Sequence, residues 1–231
     1  MILPVLLAAS ASAFHLHQES PLLDFEYRWP SQAAAIPALR RRLAAQMQHD
    51  RYRYLTMAKK DRAERQARDF PFMRYSFSRV LHFAGRTRRL IAFADERNAF
   101  TGGAHGNPST QSLLWDLAGN KTLAFTDLFS RSPGPMIQPS YCRGLTAQRK
   151  RKMGSEPFSN IWDACPDPLK LSVIPEDKDR DGRFETINVT ANPYDVGSYA
   201  EGYYIVMLPV TQPLFNALKP QFRQSFEVQR Q

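Results

Sequence analysis

The sequence predicts an α+β fold, in which an antiparallel sheet carries a long N-terminal helical layer and a second, smaller β-rich half contains a disulfide. Several short segments alternate apolar and polar residues, which is the pattern of half-buried strands. One long segment instead spaces its apolar residues by three and four, as amphipathic helices do. Seventeen prolines against eleven glycines argue against an all-helical bundle, because proline breaks helix interiors.

Residues 1–13 have the features of a signal peptide. An apolar run from Ile2 to Ala9 precedes the small residues of a signal-peptidase site at 11–13. We expect a mature chain that begins near Phe14 and a periplasmic or secreted protein, although a buried N-terminal strand is the alternative. No other segment approaches the ~20 apolar residues of a membrane span. After cleavage, His15 and His17 would lie in a flexible terminus beside the free amine, a combination that can bind copper or zinc.

The first elements of the mature chain are a strand and a long helix. Residues 25–29 alternate aromatic and charged side chains and end at a proline, which predicts a strand. Ser31 is placed to cap a helix over about residues 32–68. We expect this helix to bend or break near residues 54–57, where its apolar stripe loses phase. The stripe comprises Ile36, Leu39, Leu43 and Met47.

The next segments predict a meander of strands. Residues 75–79 and 88–93 read as two strands with Gly85 turning between them. Residues 113–117 and 123–125 flank a short hairpin turn. A proline-rich connector over residues 130–139 is the expected internal boundary. It divides the chain into α+β regions 14–130 and 131–231, which we expect to pack as one unit.

The second region contains both cysteines of the chain. A basic helical piece at residues 145–153 lies between Cys142 and Cys165, and strands are predicted at 169–174, 184–189 and 203–208 before a short helix. In an oxidising compartment the two cysteines form one disulfide, worth roughly 3 kcal/mol in the chain-entropy model. Neither cysteine has a second Cys or His at zinc-ligand spacing.

The positive charge of the chain is concentrated in residues 40–89. This segment has fifteen Lys or Arg and four Asp or Glu, whereas the whole chain has a net charge of +9. Such a field attracts polyanions, with an affinity that falls as salt rises. The simpler interpretation is the solvated face of the long helix. No stacking-sheet motif accompanies the charge, so we do not expect a nucleic-acid partner.

The stretch FTGGAHG holds the first candidate binding residues. They are Thr101, Gly102, Gly103 and His105. The adjacent glycines suit positive φ angles or close approach of the backbone. His105 is a candidate for bonding its own loop, for ligand contact or for catalysis. Catalysis needs a nucleophile and an orienting carboxylate, and the chain has no G-x-S-x-G elbow.

The stretch NPYDVGSYAEGYYIVMLP holds the second group of candidates. They are Tyr194, Tyr199 and Glu201, in a turn that leads into a strand. Exposed tyrosines can stack on sugar rings or form a protein contact. Packing in the interior is the open alternative.

The stretch EDKDRDGRFETIN resembles the first half of a calcium loop. Asp177, Asp179 and Asp181 alternate before a glycine, and Glu185 occupies the ninth position. The twelfth position is Asn188 rather than glutamate, and the flanking segments read as strands. Calcium is therefore one interpretation, and an acidic hairpin turn built on Asp181 and Gly182 is the other.

Three of these stretches occur in an order that resembles a known family. FTGGAHG, LLWDLAGNKTLAFTDLF and NPYDVGSYAEGYYIVMLP together are similar to the extracytoplasmic family called domain of unknown function 3298. The preceding part from Phe25 looks like its usual partner, domain of unknown function 4163. The pair is found in the anti-sigma factor RsiV, which senses lysozyme, and in the peptidoglycan deacetylase PdaC.

The resemblance implies an α+β domain outside the cytoplasm that recognises envelope glycan or a glycan-targeting protein. It implies no catalytic residues, because the deacetylase set of aspartate and histidine residues lies in a separate domain. We therefore expect a non-catalytic binding domain without a required cofactor, for peptidoglycan-derived glycan or a lysozyme-like protein. The alternatives are a cell-wall hydrolase that uses His105 and a polyanion-binding protein that uses residues 40–89.

Overall fold

The structure is a computed structural model that describes residues 12–154 and 164–229. Residues 1–11 of the predicted signal peptide lie outside the described residues. The strands are β1 (Phe14–Glu19), β2 (Leu23–Trp29), β3 (Tyr75–Arg86), β4 (Leu90–Phe100), β5 (Asn107–Asp116), β6 (Lys121–Leu123), β7 (Ser172–Glu176), β8 (Thr186–Ala191) and β9 (Tyr204–Pro209). The helices are α1 (Ser31–Ala34), α2 (Pro37–Gln66), α3 (Gly134–Met153) and α4 (Gln212–Ala217). Short 3₁₀ turns cover Phe125–Leu128, Pro168–Lys170, Tyr199–Glu201 and Pro220–Ser225.

The strands form two sheets, which confirms the predicted α+β fold. Strands β1 to β6 make a six-stranded sheet in chain order, and β7 to β9 make a three-stranded sheet. Every pair of neighbours is antiparallel except β2 and β3, which are parallel. Parallel neighbours need a crossover connection, and α1 and α2 supply it. The long helix is therefore the link between two adjacent strands.

The helical crossover is interrupted at a different place from the one predicted. Helix α2 is continuous through residues 54–57, so the predicted break there is wrong. The interruption lies at Ile36, whose φ of −103° and ψ of 102° are extended. Pro37 causes it, because proline disfavours helical geometry in the residue before it. The predicted cap is also wrong, since Pro30 occupies the N-cap of α1 and the Ser31 hydroxyl donates to the Gln32 side chain instead of accepting a backbone N–H group.

Two other local predictions are wrong. Gly85 lies inside β3 at a register shift, and the turn that follows uses Thr87, whose hydroxyl oxygen accepts the N–H groups of Arg89 and Leu90. The proline-rich connector becomes helix from Gly134 onward. Its composition favoured a loop, but Pro135 in the first turn of the helix removes an N–H group that would have no helical partner, whereas Pro139 lies inside the helix.

The two faces of the large sheet belong to two hydrophobic clusters. On β4, Ile91 and Phe93 face α2, whereas Leu90 and Ala92 join the cluster of the second sheet and α3. This alternation is the period of two expected of a strand buried on both faces. Residues of both predicted regions, 14–130 and 131–231, thus meet in the cluster of the second sheet, and the boundary between the regions stays a prediction.

A buried polar network ties α2 to three neighbouring strands. Arg79 on β3 donates from Nε and Nη2 to the carboxylate of Asp95 on β4, each at 2.7 Å. Its Nη1 donates to the hydroxyl of Tyr27 on β2 at 2.7 Å, and Tyr27 donates to Asp50 on α2 at 2.7 Å. Burial alone would lower the pKa of Arg79, but Asp95 and Tyr27 raise it, so the guanidinium stays charged.

The cysteines and the basic residues occupy the places that the sequence indicated. Cys142 on α3 and Cys165 form the predicted disulfide, with their Cα atoms 5.6 Å apart. Leu39, Leu43 and Met47 of the apolar stripe are buried. Most of the Lys and Arg residues of α2 are exposed on its outer face. No helix in the described part of the chain combines the length and apolarity needed to cross a membrane.

We predict that Arg79→Met lowers the free energy of unfolding by about 3 kcal/mol, because it leaves a buried carboxylate without its cation. This loss is at the lower end of the range for breaking a buried ion pair, because Arg97 also donates to the Asp95 carboxylate, at 2.6 Å, and remains in the variant. Chemical denaturation measures it, with Arg74→Met as the control. Arg74 pairs with Glu19 at the surface, where such pairs contribute at most about 1 kcal/mol. Equal losses in the two variants would contradict this account of the network.

Candidate functional site

Two loops that are far apart in sequence meet at the surface. The loop of residues 101–106 joins β4 to β5, and residues 192–203 join β8 to β9. The ring of His105 stacks on that of Tyr199, with centroids 3.6 Å apart and planes at 18°. The hydroxyl of Tyr194 lies 3.3 Å from His105 Nε2. We call His105, Tyr194 and Tyr199 the aromatic patch.

The aromatic patch is accessible from solvent. Tyr194 keeps 50% of its surface exposed. His105 is exposed and Tyr199 is half-buried. Such a group presents ring faces that bind apolar surfaces and ring edges that form hydrogen bonds. The structure therefore brings together three of the predicted binding residues.

The hydrogen bonds of His105 fix which ring nitrogen carries the proton. Its Nδ1 lies 2.8 Å from the carbonyl oxygen of Gly106. Because a carbonyl only accepts, the neutral ring carries its proton on Nδ1, and its Nε2 then accepts from the Tyr194 hydroxyl. Within residues 12–154 and 164–229, His105 has no carboxylate partner. The ring is thus oriented for contact, without the acidic group that a catalytic histidine uses.

The other residues of FTGGAHG shape the loop around His105. Gly102 has a φ of +84°, the left-handed conformation that the adjacent glycines suggested. Its carbonyl oxygen lies 3.5 Å from Nη2 of Arg65, which also pairs with Asp61 on α2. Thr101 and Gly103 are exposed in the same loop. Helix α2 therefore holds the start of the loop that carries His105.

Glu201 organises the tyrosine loop from inside. It is 8% exposed, and its carboxylate accepts the Ser198 N–H and the Tyr204 hydroxyl, each at 2.6 Å. A Cβ atom at Gly197 would lie 2.5 Å from Glu201 Oε2, so only glycine fits there. Burial alone would raise the pKa of Glu201, but the bonds from Tyr204 and Ser198 outweigh it and lower the pKa. Burial and Glu201 raise the pKa of Tyr204 to about 12.

Helix α3 holds the same loop through its backbone carbonyls. Arg149 donates to the carbonyl of Val196 at 2.5 Å, and Lys152 donates to that of Glu201 at 2.7 Å. The carboxamide of Gln148 bonds both backbone groups of Ile205 on the edge strand β9. The sequence predicted a basic helix here but not its partners. The sequence offered one signal for these contacts: the basic helix lies in the segment that the Cys142–Cys165 disulfide closes.

A polar groove lies beside the tyrosine loop. It is a cavity of about 360 Å³ between β5, the start of β7 and the loop, and its lining includes Thr110, Ser112, Thr126, Ser172, Asn192 and Asp195. We call it the polar groove. Its walls are joined by the Asn192 side chain, which accepts the Thr110 N–H at 2.6 Å. The hydroxyl of Ser172 is buried and has no hydrogen-bond partner among the described residues.

Tyr194 adopts an unfavourable backbone conformation. Its φ is +74°, in the left-handed region that bulky side chains rarely enter. The N–H of Tyr194 donates to the carbonyl of Gly197 at 3.1 Å, and this bond closes the turn. Such strain persists only where the surroundings impose it, and it is concentrated at functional sites.

The acidic loop comprises residues 177–185 and joins β7 to β8. Asp177, Asp179 and Glu185 each offer an oxygen, and these atoms lie within 4.8 Å of one another. Asp181 lies outside this group, since its carboxylate pairs with Arg183 at 2.7 Å. The loop joins two antiparallel strands as a hairpin, and Gly182 turns with a φ of +90°, so the acidic hairpin built on Asp181 and Gly182 remains the alternative to a calcium loop. Burial, with Glu185 and Asp181, raises the pKa of Asp177 above its usual range, although N–H groups of Gly182 and Arg180 oppose this.

His15 and His17 belong to a strand and not to a flexible terminus. Both lie in β1, which pairs along its length with β2. His15 Nε2 lies 3.1 Å from Glu26, and His17 Nε2 lies 2.8 Å from Asp24. The contact with Asp24 raises the pKa of His17.

Comparisons with known proteins identify the fold. Residues 16–108 match the family model described as deacetylase PdaC. A member of the DUF3298 family from Bacteroides fragilis NCTC 9343 superposes with a TM-score of 0.57 and 16% identity, over 92% of this chain and 94% of that one. A DUF3298 family protein from Pseudomonas aeruginosa PAO1 gives 0.53 and 14%, over 95% and 98%. No curated protein matches the chain.

At these identities the likeness establishes a shared fold. The two solved structures support the predicted resemblance to domain of unknown function 3298. The family-model match over residues 16–108 supports the predicted resemblance to PdaC. The resemblance of the N-terminal region to domain of unknown function 4163 stays a prediction.

We predict that Glu201→Gln lowers the free energy of unfolding by about 1.5–3 kcal/mol at pH 7, because charged hydrogen bonds in the buried loop are lost. Since folding lowers the pKa of Glu201, the carboxylate stabilises the fold above its ordinary pKa, and this contribution disappears as pH falls through the lowered value. The difference between wild type and variant should therefore vanish in strong acid.

Urea denaturation at neutral and acidic pH measures this difference. Glu64→Gln is the matched control, because Glu64 is exposed and its ion pair with Lys60 is long, at 3.8 Å. A loss at Glu201 that stays constant with pH would show that the charge of its carboxylate contributes nothing.

Proposed function

We propose that this protein is an exported, non-catalytic binding domain of the cell envelope whose ligand is peptidoglycan-derived glycan. The observation that carries the proposal is the aromatic patch of His105, Tyr194 and Tyr199, whose tyrosine loop also supplies Asn192 and Asp195 to the polar groove. It joins two loops that the sequence separately indicated as binding elements.

The chemistry of the two surfaces suits a sugar chain. A sugar ring has an apolar face of C–H groups, which stacks on aromatic rings, and a rim of hydroxyls that needs hydrogen bonds. The patch offers the ring faces, and the groove offers hydroxyl, amide and carboxylate groups. Its volume of about 360 Å³ lies at the small end of the ~300–1,000 Å³ that ligand pockets occupy.

The construction of the patch also supports binding. Tyr194 holds a left-handed backbone conformation that glycine or asparagine would adopt more readily, and His105 stacks on Tyr199 across the two loops. A rigid arrangement loses little conformational entropy when a ligand binds. A contact surface that is both strained and preorganised is typical of a functional site.

Export has three supports. The predicted cleavage site ends where β1 begins, at Phe14. The disulfide between Cys142 and Cys165 is typical of oxidising compartments. The matched family model carries the name of a deacetylase, PdaC, and PdaC-like domains are extracytoplasmic.

Three other functions are less well supported. A lysozyme-like ligand is itself basic and would be repelled by the exposed arginines of α2. A hydrolase that uses His105 would need a carboxylate that the described residues do not place beside it. A polyanion-binding protein would use the basic residues of segment 40–89 and leave the patch without a role.

The proposal predicts that Tyr199→Ala weakens binding of the mature protein to purified peptidoglycan about tenfold, since removing one stacked ring costs on the order of 1.4 kcal/mol. Tyr194→Asn should also weaken it while keeping or raising the melting temperature, because asparagine tolerates the left-handed backbone. A sedimentation assay measures binding. Tyr52→Ala is the control, since Tyr52 is an exposed tyrosine on α2 with 73% of its surface accessible.

Each opposing outcome identifies a different function. Retention on lysozyme but not on peptidoglycan would indicate a protein ligand. Release of soluble fragments that stops in His105→Ala would indicate a hydrolase. Binding that disappears between low and physiological salt, and is unaffected by the tyrosine substitutions, would indicate electrostatic binding by α2.

A further inference from the structure

The acidic loop contains a buried carboxylate with an unused oxygen. Glu185 is 6% exposed, and its Oε1 accepts the Lys178 N–H at 3.0 Å and the Thr186 hydroxyl at 3.2 Å. Its Oε2 is buried and has no hydrogen-bond partner among the described residues. Asp177 repeats the pattern, since Oδ2 accepts the Gly182 N–H at 3.1 Å and Oδ1 has no partner in the same ranges.

Buried anionic oxygens without partners are costly unless a cation satisfies them. We propose that Asp177, Asp179 and Glu185 form a calcium-binding site in the loop between β7 and β8. This site is separate from the aromatic patch and does not depend on the glycan ligand.

The geometry of the three carboxylates fits one ion. Oxygens that ligate Ca²⁺ lie about 2.3–2.6 Å from it, so any two of them are at most roughly 5 Å apart. The three candidate oxygens lie within 4.8 Å of one another. No side chain has to move far for all three to reach the same ion.

The neighbouring charges distinguish this group from a second one. Asp179, Asp181 and Glu227 also lie close together. Arg183 already pairs with two members of that group, because its Nη2 lies 2.7 Å from Asp181 and 2.8 Å from Glu227. None of the carboxylates of Asp177, Asp179 and Glu185 forms a salt bridge within residues 12–154 and 164–229.

The ligand atoms select the kind of ion. All three are carboxylate oxygens, which suit hard cations, whereas zinc and copper prefer nitrogen and sulfur. Magnesium demands near-octahedral geometry and keeps most of its water. Calcium accepts six to eight oxygens in irregular arrangements, so carbonyl groups of the loop and water can complete the shell.

The site joins three parts of the fold. The Asp177 N–H donates to the carbonyl of Ala84 on β3 at 3.1 Å. A Cβ atom at Gly85 would lie 2.7 Å from Asp177 Cβ, so the glycine in β3 leaves room for the acidic loop. On the other side, Phe184 pairs with the C-terminal segment through backbone bonds to Ser225 and Glu227. An ion bound only by the folded chain would stabilise all three parts together.

The test uses the full mature chain after removal of divalent ions with a chelator. Isothermal titration with CaCl₂ should give one site per chain. Saturating calcium, about 100 times Kd, should raise the melting temperature by roughly 5–10 °C, and the same concentration of MgCl₂ should raise it less. A wild-type protein that binds no calcium would overturn the proposal.

Glu185→Gln gives a sharper result, because it removes the charge and keeps the shape. It should weaken calcium binding at least tenfold, and without calcium its melting temperature should equal or exceed that of the wild type, since a buried unpaired charge has gone. Asp181→Asn and Glu227→Gln are the matched controls and should bind within about twofold of wild type. Normal binding by Glu185→Gln, or loss of binding in Glu227→Gln, would overturn the assignment.

Discussion

A hydrogen bond from the Thr110 N–H to the side chain of Asn192 fixes the tyrosine loop against β5. Strand β5 begins just after the loop of His105, so this contact sets the distance between the two loops. Beneath it, Leu90, Ala92 and Leu114 of the large sheet share a core with the second sheet. Without that shared core the rings of His105 and Tyr199, which stack across the junction of the two sheets, would have no common support.

The carboxylates with buried oxygens show two different patterns of hydrogen bonding among the described residues. The carboxylates of Asp95 and Glu201 have hydrogen-bonding partners for both oxygens, and both groups act inside the scaffold. Glu185 and Asp177 each keep one buried oxygen without a partner among the described residues. Because an unsatisfied buried charge costs free energy, its persistence points to an ion that the chain itself does not supply. This contrast separates positioning residues from candidate ligands.

Local patterns in the sequence were enough to predict most strands, the stripe of α2 and the disulfide. These patterns failed where the outcome depends on distant contacts. The alternation of apolar and polar residues does not indicate that β2 and β3 are parallel. The proline-rich composition predicted a loop where a helix starts at Gly134. The loops of His105 and Tyr194 were each identified, but their contact spans 89 positions and no local pattern encodes it. The spacing of the acidic loop predicted Asp181 as a ligand, whereas Arg183 occupies its carboxylate.

Ligand-induced shifts of the aromatic ring resonances test the central claim most directly. In the ¹³C-labelled protein, NMR would follow the rings of His105, Tyr194 and Tyr199 during titration with a soluble peptidoglycan oligosaccharide. Our account predicts that these three rings shift together in one saturable process, while the exposed ring of Tyr52 on α2 stays unchanged. Unchanged resonances for the three rings, or shifts confined to α2, would contradict it.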